Sequence, residues 1–474
     1  MAAPYLSFMP EAPYRLQPQL PRPPMTSRQR TQIEAFLVLR RNPLELWGKA
    51  AYESDVLPGK FLGRPQIMLN APDAIRHVLV TNQENYGRAV ATRRVLEPLL
   101  GDGLVMAQGD SWRHQRRTLA PSFAPRTMPI LARHVVRASE EAEAELDRLA
   151  GRPVELLPAM QRLALAIAAR SMFSLEADSF AGELRALLLR YGLNYGRVGL
   201  FDLLLPLSVP SPLDVGRAAF RRDWLRFMDR VIEARQKQAA PDADRPRDLL
   251  DLLTAARDPE TGAGFDRALL RDEVATMIIA GHETTSVALF WACYIAAKLP
   301  EHQARIAEEG GAADLSAESA ATSLRALPYT RAFIDETLRL YPPAFLLTRR
   351  ALGADVIAGR KVAPGTVISI APWVLHRHRR LWNDPQHFDP GRFLPGAPSH
   401  DRYAYLPFGA GPRICVGAQF ALTEATLVLA RLLRAFRVQL VGGEAVIPRG
   451  IVTTQPDRPV RFVLTRRPGR DLHR

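Results

Sequence analysis

One helical run constrains this chain more than any other feature. Residues 268–298 repeat apolar side chains at intervals of three and four over some 30 positions. The stretch IIAGHETTSVALFWACYIAAKLP within it is apolar enough to lie buried through the centre of a molecule. Polar residues inside such a helix need a reason. Ala280, Thr284 and Val287 share one face by i, i+4, i+7 spacing, Glu283 lies one step around, and small Ala280 and Gly281 leave room for a ligand. A glycine costs a helix interior about 1 kcal/mol relative to alanine, and two β-branched threonines follow it, so a local widening is expected here. Taken alone, the segment also reads as a threonine bonding back to its own helix and a glutamate reaching water. His282 is expected to face outward or serve structure, and Cys293, nine residues beyond Thr284, to sit in the core.

The same periodicity recurs at 132–150, 158–172, 214–237, 329–341 and 417–436, with Asp214 placed to cap the third of these segments. β-like runs are confined to 61–69, 353–370 and 437–464, so the fold class is mainly α with minor β-sheets. A length of 474 residues allows about three domains at roughly 150 residues each, yet no linker supports a division. The expected organisation is a Pro-rich arm at 1–25 and one large domain at 26–474. The arm has neither signal-peptide order nor the run of about 20 apolar residues that spans a bilayer, so no stable membrane anchor is expected and the cytoplasm is the expected compartment. Between two helices, LFDLLLPLSVPSPL at 200–213 reads either as an apolar lid or as a buried connector.

Charge and cysteine content exclude several function classes. The net charge of +14 comes from 63 basic residues, nearly all arginine, against 49 acidic ones. They are scattered rather than striped and form no nucleic-acid motif, so no nucleic-acid partner is expected. Two cysteines are too few for a disulfide framework, a four-thiolate zinc site or a cysteine-ligated iron–sulfur cluster. LHRHRRLW at 375–382 offers His376 and His378 two apart, a poor pair of zinc ligands, and reads as a solvated basic loop.

That leaves Cys415, held in PFGAGPRICVG. A thiolate that ligates iron must be kept deprotonated, shielded from oxidation and supported by hydrogen bonds. Gly409, Gly411 and Gly417 allow unusual dihedrals and close approach, and the helical pattern starting near Gly417 aims free N–H groups at the sulfur. Phe408 is placed to pack over the sulfur, and Arg413 to reach an anionic edge of a cofactor.

The order F-x-x-G-x-R-x-C-x-G, met by Phe408, Gly411, Arg413, Cys415 and Gly417, resembles the haem-binding loop of the cytochrome P450s. Ala280, Gly281, Glu283, Thr284 and Thr285 are similar to that family's A-G-x-[DE]-T-T oxygen-binding motif. Glu336 and Arg339 in DETLRLYPP, with Arg392 in FDPGRF, resemble its E-x-x-R helix plus a second arginine, a structural triad. Trp112 and Arg116 match its W-x-x-x-R arrangement for a haem propionate, and Arg350 stands where a third propionate partner is expected, with Arg349 as a substitute. The resemblance implies the cytochrome P450 fold with haem b on Cys415 as metal ligand. It further implies Thr284 and Glu283 as the proton-handling pair, and hydroxylation of a hydrophobic small molecule by O2 with two external electrons. It implies a separate ferredoxin or flavodoxin with its reductase, for which Arg113, Arg116 and Arg117 offer a basic landing patch. A peroxygenase or a non-enzymatic haem-thiolate sensor is the alternative. The walls expected for the pocket are 84–107, 200–213, 276–284, 343–348 and 451–454.

Overall fold

A computed structural model describes residues 20–26, 30–174, 180–237 and 246–468. The helices that shape its interior are, in chain order, α1 (Val90–Leu100), α2 (Gly109–Leu119), α3 (Met128–Arg148), α4 (Leu156–Phe173), α5 (Ala181–Asn194), α6 (Asp214–Gln236), α7 (Arg267–Lys298), α8 (Pro300–Ala312), α9 (Pro328–Leu340) and α10 (Ala418–Ala435). The long run expected at 268–298 is α7. Asp266 starts it by accepting the Leu269 N–H at 2.7 Å, and Pro300 follows its end. Every residue from Thr285 to Ala296 is buried, because α7 packs against α1, α4, α6, α9 and α10 at once. Trp291 on it stacks on Tyr341 with ring centroids 4.1 Å apart. Its backbone stays α-helical through Gly281 and the two threonines, so the expected widening is not seen: the buried turns that follow, from Thr285 to Ala296, hold the helix regular.

A five-stranded sheet closes one side. Its strands are β1 (Val56–Phe61), β2 (Arg64–Leu69), β3 (Tyr86–Gly87), β4 (Leu347–Ala351) and β5 (Val367–Ile370), arranged β1-β2-β5-β4-β3. β4 pairs antiparallel with β5, setting Arg349 opposite Ile368 and Arg350 opposite Val367. A three-stranded sheet of Pro153–Glu155, Arg461–Arg466 and Phe436–Leu440 sits by the end of α10. Leu20 and Met25 pack against the main core and the Tyr341 hydroxyl donates to the Pro21 carbonyl at 2.8 Å, while residues 1–19 of the expected arm lie outside the described residues.

Three expectations change. Asp214 is the first residue of α6 rather than its cap, and its carboxylate accepts from Arg94, from Arg217 and from the Ser211 N–H. The 200–213 segment is not a buried connector. Phe201, Leu207 and Val209 are exposed, yet the segment is clasped from below. Arg94 of α1, itself buried, donates to the carbonyls of Pro206 and Val209 at 2.6 and 2.5 Å and pairs with Asp214, and Arg217 binds buried Asp202 through both amino groups at 2.7 and 2.8 Å. The 375–382 segment is not a solvated loop: His376, Arg377 and His378 are buried and only Arg379 and Arg380 reach water. His376 takes the Leu406 N–H on Nε2 at 2.8 Å, and Arg377 lies 3.7 Å over the Trp373 ring, so the apparent charge run is an interior hydrogen-bonding hub.

Candidate functional site

The central cavity, of about 400 Å3, lies between α7, the loop ahead of α10 and strand β4. Cys415 lines it, and its exposure is to this cavity rather than to bulk water. The loop that presents it is closed by the Cys415 N–H donating to the Phe408 carbonyl at 3.0 Å, which sets Phe408 and the cysteine back to back. Gly409 and Gly411 have φ of +74° and +73°, and a Cβ at Gly411 would stand 2.1 Å from the Leu79 carbonyl oxygen, so only glycine fits there. Gly417 also lines the cavity. Burial pushes the Cys415 thiol up, while the Gly417 N–H and the Arg116 guanidinium pull it down toward the thiolate.

One wall is basic. Arg88, Arg116, Arg349 and Arg413 all line the cavity, and no carboxylate is paired with any of them among the described residues. Arg413 donates to the Ala107 carbonyl at 3.0 Å and lies 4.3 Å over Trp112; Arg116 donates to the Ile414 carbonyl at 3.0 Å. The Arg88 Nε is buried with no acceptor. Four guanidiniums and an indole facing one cavity suit the two carboxylates of a haem, and the cysteine facing the same cavity suits its iron. Arg350 does not join them: successive side chains of a strand face opposite ways, so β4 buries Arg349 in the wall and leaves Arg350 exposed. Arg88 was missed because nothing local in the sequence distinguishes it from the many surface arginines.

On α7 the cavity face consists of Thr276, Met277, Ala280, Gly281, Thr284, Thr285 and Ala288, so Val287 falls in the core instead. Thr284 Oγ1 donates back to the Ala280 carbonyl at 2.6 Å, as an ordinary helical threonine does, and still faces the cavity. Glu283 neither lines the cavity nor reaches water freely: it accepts from Thr453 at 3.1 Å and from Gln455. The carboxyl that does line the cavity is Glu424 of α10, unmarked by the sequence analysis. Burial raises its pKa to about 8, and Thr285 Oγ1 approaches it at 3.5 Å. His282 is buried and structural, as is Cys293, whose thiol burial pushes up to about 12.

The supporting triad is assembled. Glu336 and Arg339 are fully buried and paired through two contacts of 2.6 and 2.7 Å, and Arg392 stands 3.6 Å from Glu336. Of the expected walls, 84–107, 276–284 and 343–348 contribute, through residues such as Leu104, Ala280 and Leu347. Segments 200–213 and 451–454 do not, the first held outward by Arg94 and the second spent on Glu283. Arg113 and Arg117 of the expected landing patch are already paired, with Asp110 and Glu84 and with Asp258 and Glu260. Among the described residues no group of His, Cys, Asp or Glu could hold a separate metal ion, and no helix is long and apolar enough to cross a membrane.

Comparison with known proteins agrees with this geometry. The chain is 32% identical over 425 residues to cyclooctatin synthase of Streptomyces melanosporofaciens, covering 87% of this chain and 89% of that one. It is 29% identical to cyclooctat-9-en-7-ol 5-monooxygenase of the same organism, covering 86% and 87%, and 29% identical to cytokinin hydroxylase of Arabidopsis thaliana, covering 84% and 78%. The crystal structure of the cytochrome P450DA heme domain superposes with a TM-score of 0.75 at 26% identity, covering 87% of this chain and 90% of that one. The family model described as Cytochrome P450 matches residues 50–461, and with it the buried E-x-x-R pair, the cysteine loop and the arginine wall fall into one account: this chain belongs to the cytochrome P450 family of haem-thiolate monooxygenases.

Proposed function

We propose that this enzyme binds haem b through Cys415 and hydroxylates an apolar small molecule, drawing its electrons from a separate ferredoxin or flavodoxin with its reductase. The observation that carries the reading is Cys415 facing, across one cavity, a wall of four guanidiniums that have no carboxylate partners. When bound, the haem supplies the activation of O2 and the insertion of one oxygen atom into the substrate. Arg413, Arg116 and Arg349, with Trp112, hold its propionates, and Phe408, Gly409, Gly417 and Ala280 shape the space around it. The Glu336, Arg339 and Arg392 cluster fixes the segment leading to the cysteine loop.

Thr284 Oγ1 is the hydroxyl that would serve the oxygen chemistry at the haem, and Glu283, one residue before it and accepting from Thr453 and Gln455, is the carboxylate that would relay protons to it. Glu424, protonated at neutral pH by its burial, is a second proton holder beside Thr285. The pocket residues Leu104, Val105, Met277, Ala344 and Leu347 give substrate an apolar surround. Cyclooctat-9-en-7-ol, on which a relative acts by its name, is the first compound to try. A cytoplasmic site of action suits such partners.

Reduced protein under carbon monoxide should show the strongly red-shifted Soret band of thiolate ligation, and cofactor-loaded protein without that band would refute the reading. Thr284→Ala should consume reductant without forming product, separating a monooxygenase from a sensor or a peroxide-driven enzyme.

A further inference from the structure

Helix α1 ends at Leu100, and residues 101–107 cross to α2 as irregular turns. Leu104 and Val105 of this crossing line the haem cavity, as do Thr276 and Met277 of α7. Irregular backbone has no ladder of its own, so a crossing that forms a pocket wall must be tied down by other groups. Some of its amides find backbone acceptors: the Gly103 N–H reaches the Leu100 carbonyl at 3.1 Å, and the Met106 and Ala107 N–H groups share the Gly103 carbonyl at 2.8 and 3.0 Å. Two others go to side chains of α7. Asp272 Oδ2 accepts the Asp102 N–H at 2.9 Å, and both carboxyl oxygens of Glu273 take the Leu104 N–H, at 3.1 and 3.2 Å. The crossing lies flush on the helix, since a Cβ on Gly103 would run into the Thr276 hydroxyl and stand 2.8 Å from the Asp272 carbonyl oxygen. Its ends are tied separately: Gln115 donates to the Asp102 carbonyl at 2.9 Å, and Arg413 to the Ala107 carbonyl at 3.0 Å. Between those ties, the wall rests on Glu273.

A glutamate is a costly residue to bury there. Glu273 is fully buried, and the Leu104 N–H is its one hydrogen-bond partner among the described residues. The guanidinium of Arg221, on α6, goes to Asp272 instead, at 3.1 Å. Burial pushes the Glu273 pKa up to about 8, Asp272 beside it adds to the rise, and the Leu104 N–H offsets part of it. The side chain is therefore held neutral at neutral pH and accepts the amide without leaving an unpaired charge in the interior. A leucine would fill the same volume. What the glutamate supplies beyond volume is an acceptor for one amide of the pocket wall.

Resting on the haem-thiolate reading, we propose that Glu273 is a positioning residue for substrate: by holding the Leu104 amide it fixes how Leu104 and Val105 meet an apolar molecule beside the haem. Asp272 and Gly103 set the height of the crossing above α7. A wall fixed in advance loses less freedom when a ligand binds against it, so the contact appears in affinity for ligands large enough to reach it and not for smaller ones.

The test titrates the haem-loaded full chain with imidazole and with 1-phenylimidazole, read by the Soret shift. Both place a ring nitrogen on the iron, but only the second carries an apolar ring to the wall. Glu273→Leu should weaken 1-phenylimidazole about 5-fold or more, the equivalent of one hydrogen bond, and imidazole less than about 2-fold. Glu273→Gln keeps a carbonyl for the amide and should bring 1-phenylimidazole back to within about 2-fold of the parent. Gly103→Ala lifts the crossing without touching Glu273 and should reproduce the selective loss, which keeps the test decisive should Glu273→Leu fail to fold. Equal effects on the two ligands overturn the proposal. So does 1-phenylimidazole binding that is unchanged or tightened in Glu273→Leu or Gly103→Ala, and so does a Glu273→Gln as weak as Glu273→Leu. Carbon monoxide spectra of the parent separate the two failures: a red-shifted band without selective loss in the variants sinks this inference alone, and a missing band sinks the haem-thiolate reading with it.

Discussion

Arg339→Lys puts a number on the buried scaffold behind the cysteine loop. Arg339 is fully buried and makes five donations. Two go to Glu336 at 2.6 and 2.7 Å, and three to the carbonyls of His376, Pro385 and His387 at 2.7 to 2.8 Å. Glu336 is equally buried and also accepts the Asp389 N–H at 2.8 Å, so the pair ties α9 to the stretch that leads toward Arg392. A lysine has only three N–H groups on one atom, so at least two donations are lost. At about 1.5–3 kcal/mol for each hydrogen bond to a charged group, the cost is about 3–6 kcal/mol, in line with breaking a buried ion pair. That is a factor of roughly 100 to 20,000 in the folded-to-unfolded ratio, and a large share of a typical stability of about 5–15 kcal/mol. Urea unfolding followed by circular dichroism should show the loss, and the carbon monoxide spectrum should show a reduced fraction of thiolate-type Soret band. A variant within about 1 kcal/mol of the parent, with an unchanged spectrum, would show that the five donations do not act as a scaffold.

Arg349→Gln should weaken haem retention about 10-fold or more, corresponding to one charge-assisted hydrogen bond, while Arg350→Gln should change it less than 2-fold; haem transfer to apomyoglobin measures both, and the reverse ranking would refute the strand phase. Gly411→Ala should yield little folded, haem-containing protein, since its Cβ would meet the Leu79 carbonyl at 2.1 Å in a backbone with φ +73°; normal yield and Soret absorbance would contradict this. Glu424, with a pKa of about 8 when folded and about 4.5 when unfolded, binds a proton in the folded state across that window and not in the unfolded one. Stability should therefore fall as pH rises from about 5 to 8, and fall less in Glu424→Gln. Urea midpoints of the two proteins at pH 6 and 8 check the sign.

Features carried by local spacing were readable in advance. The 268–298 run became α7 nearly residue for residue because an apolar repeat of that length is set by local spacing alone. The cysteine loop was readable because its glycines answer to backbone geometry, as Gly411 shows. Features set by distant partners were not. Choosing Arg350 over Arg349 meant knowing the phase of a five-residue strand, and one step reverses the side that faces the cavity. The basic run at 375–382 looked solvated because its acceptors, among them the Leu340, Trp373 and Ser54 carbonyls, lie up to some 320 residues away in sequence. Glu424 looked like any helical glutamate until α7 was packed over it.

Arg94 has one further consequence. Its two amino groups serve three acceptors on the far side of an exposed apolar stretch, the Pro206 and Val209 carbonyls and the Asp214 carboxylate. Lifting that stretch strands one amino group from both of its carbonyls together, while the other stays on the Asp214 carboxylate at the start of α6. One guanidinium thus rivets the 206–209 turn to both α1 and the start of α6, so the exposed apolar stretch keeps its place through a single side chain.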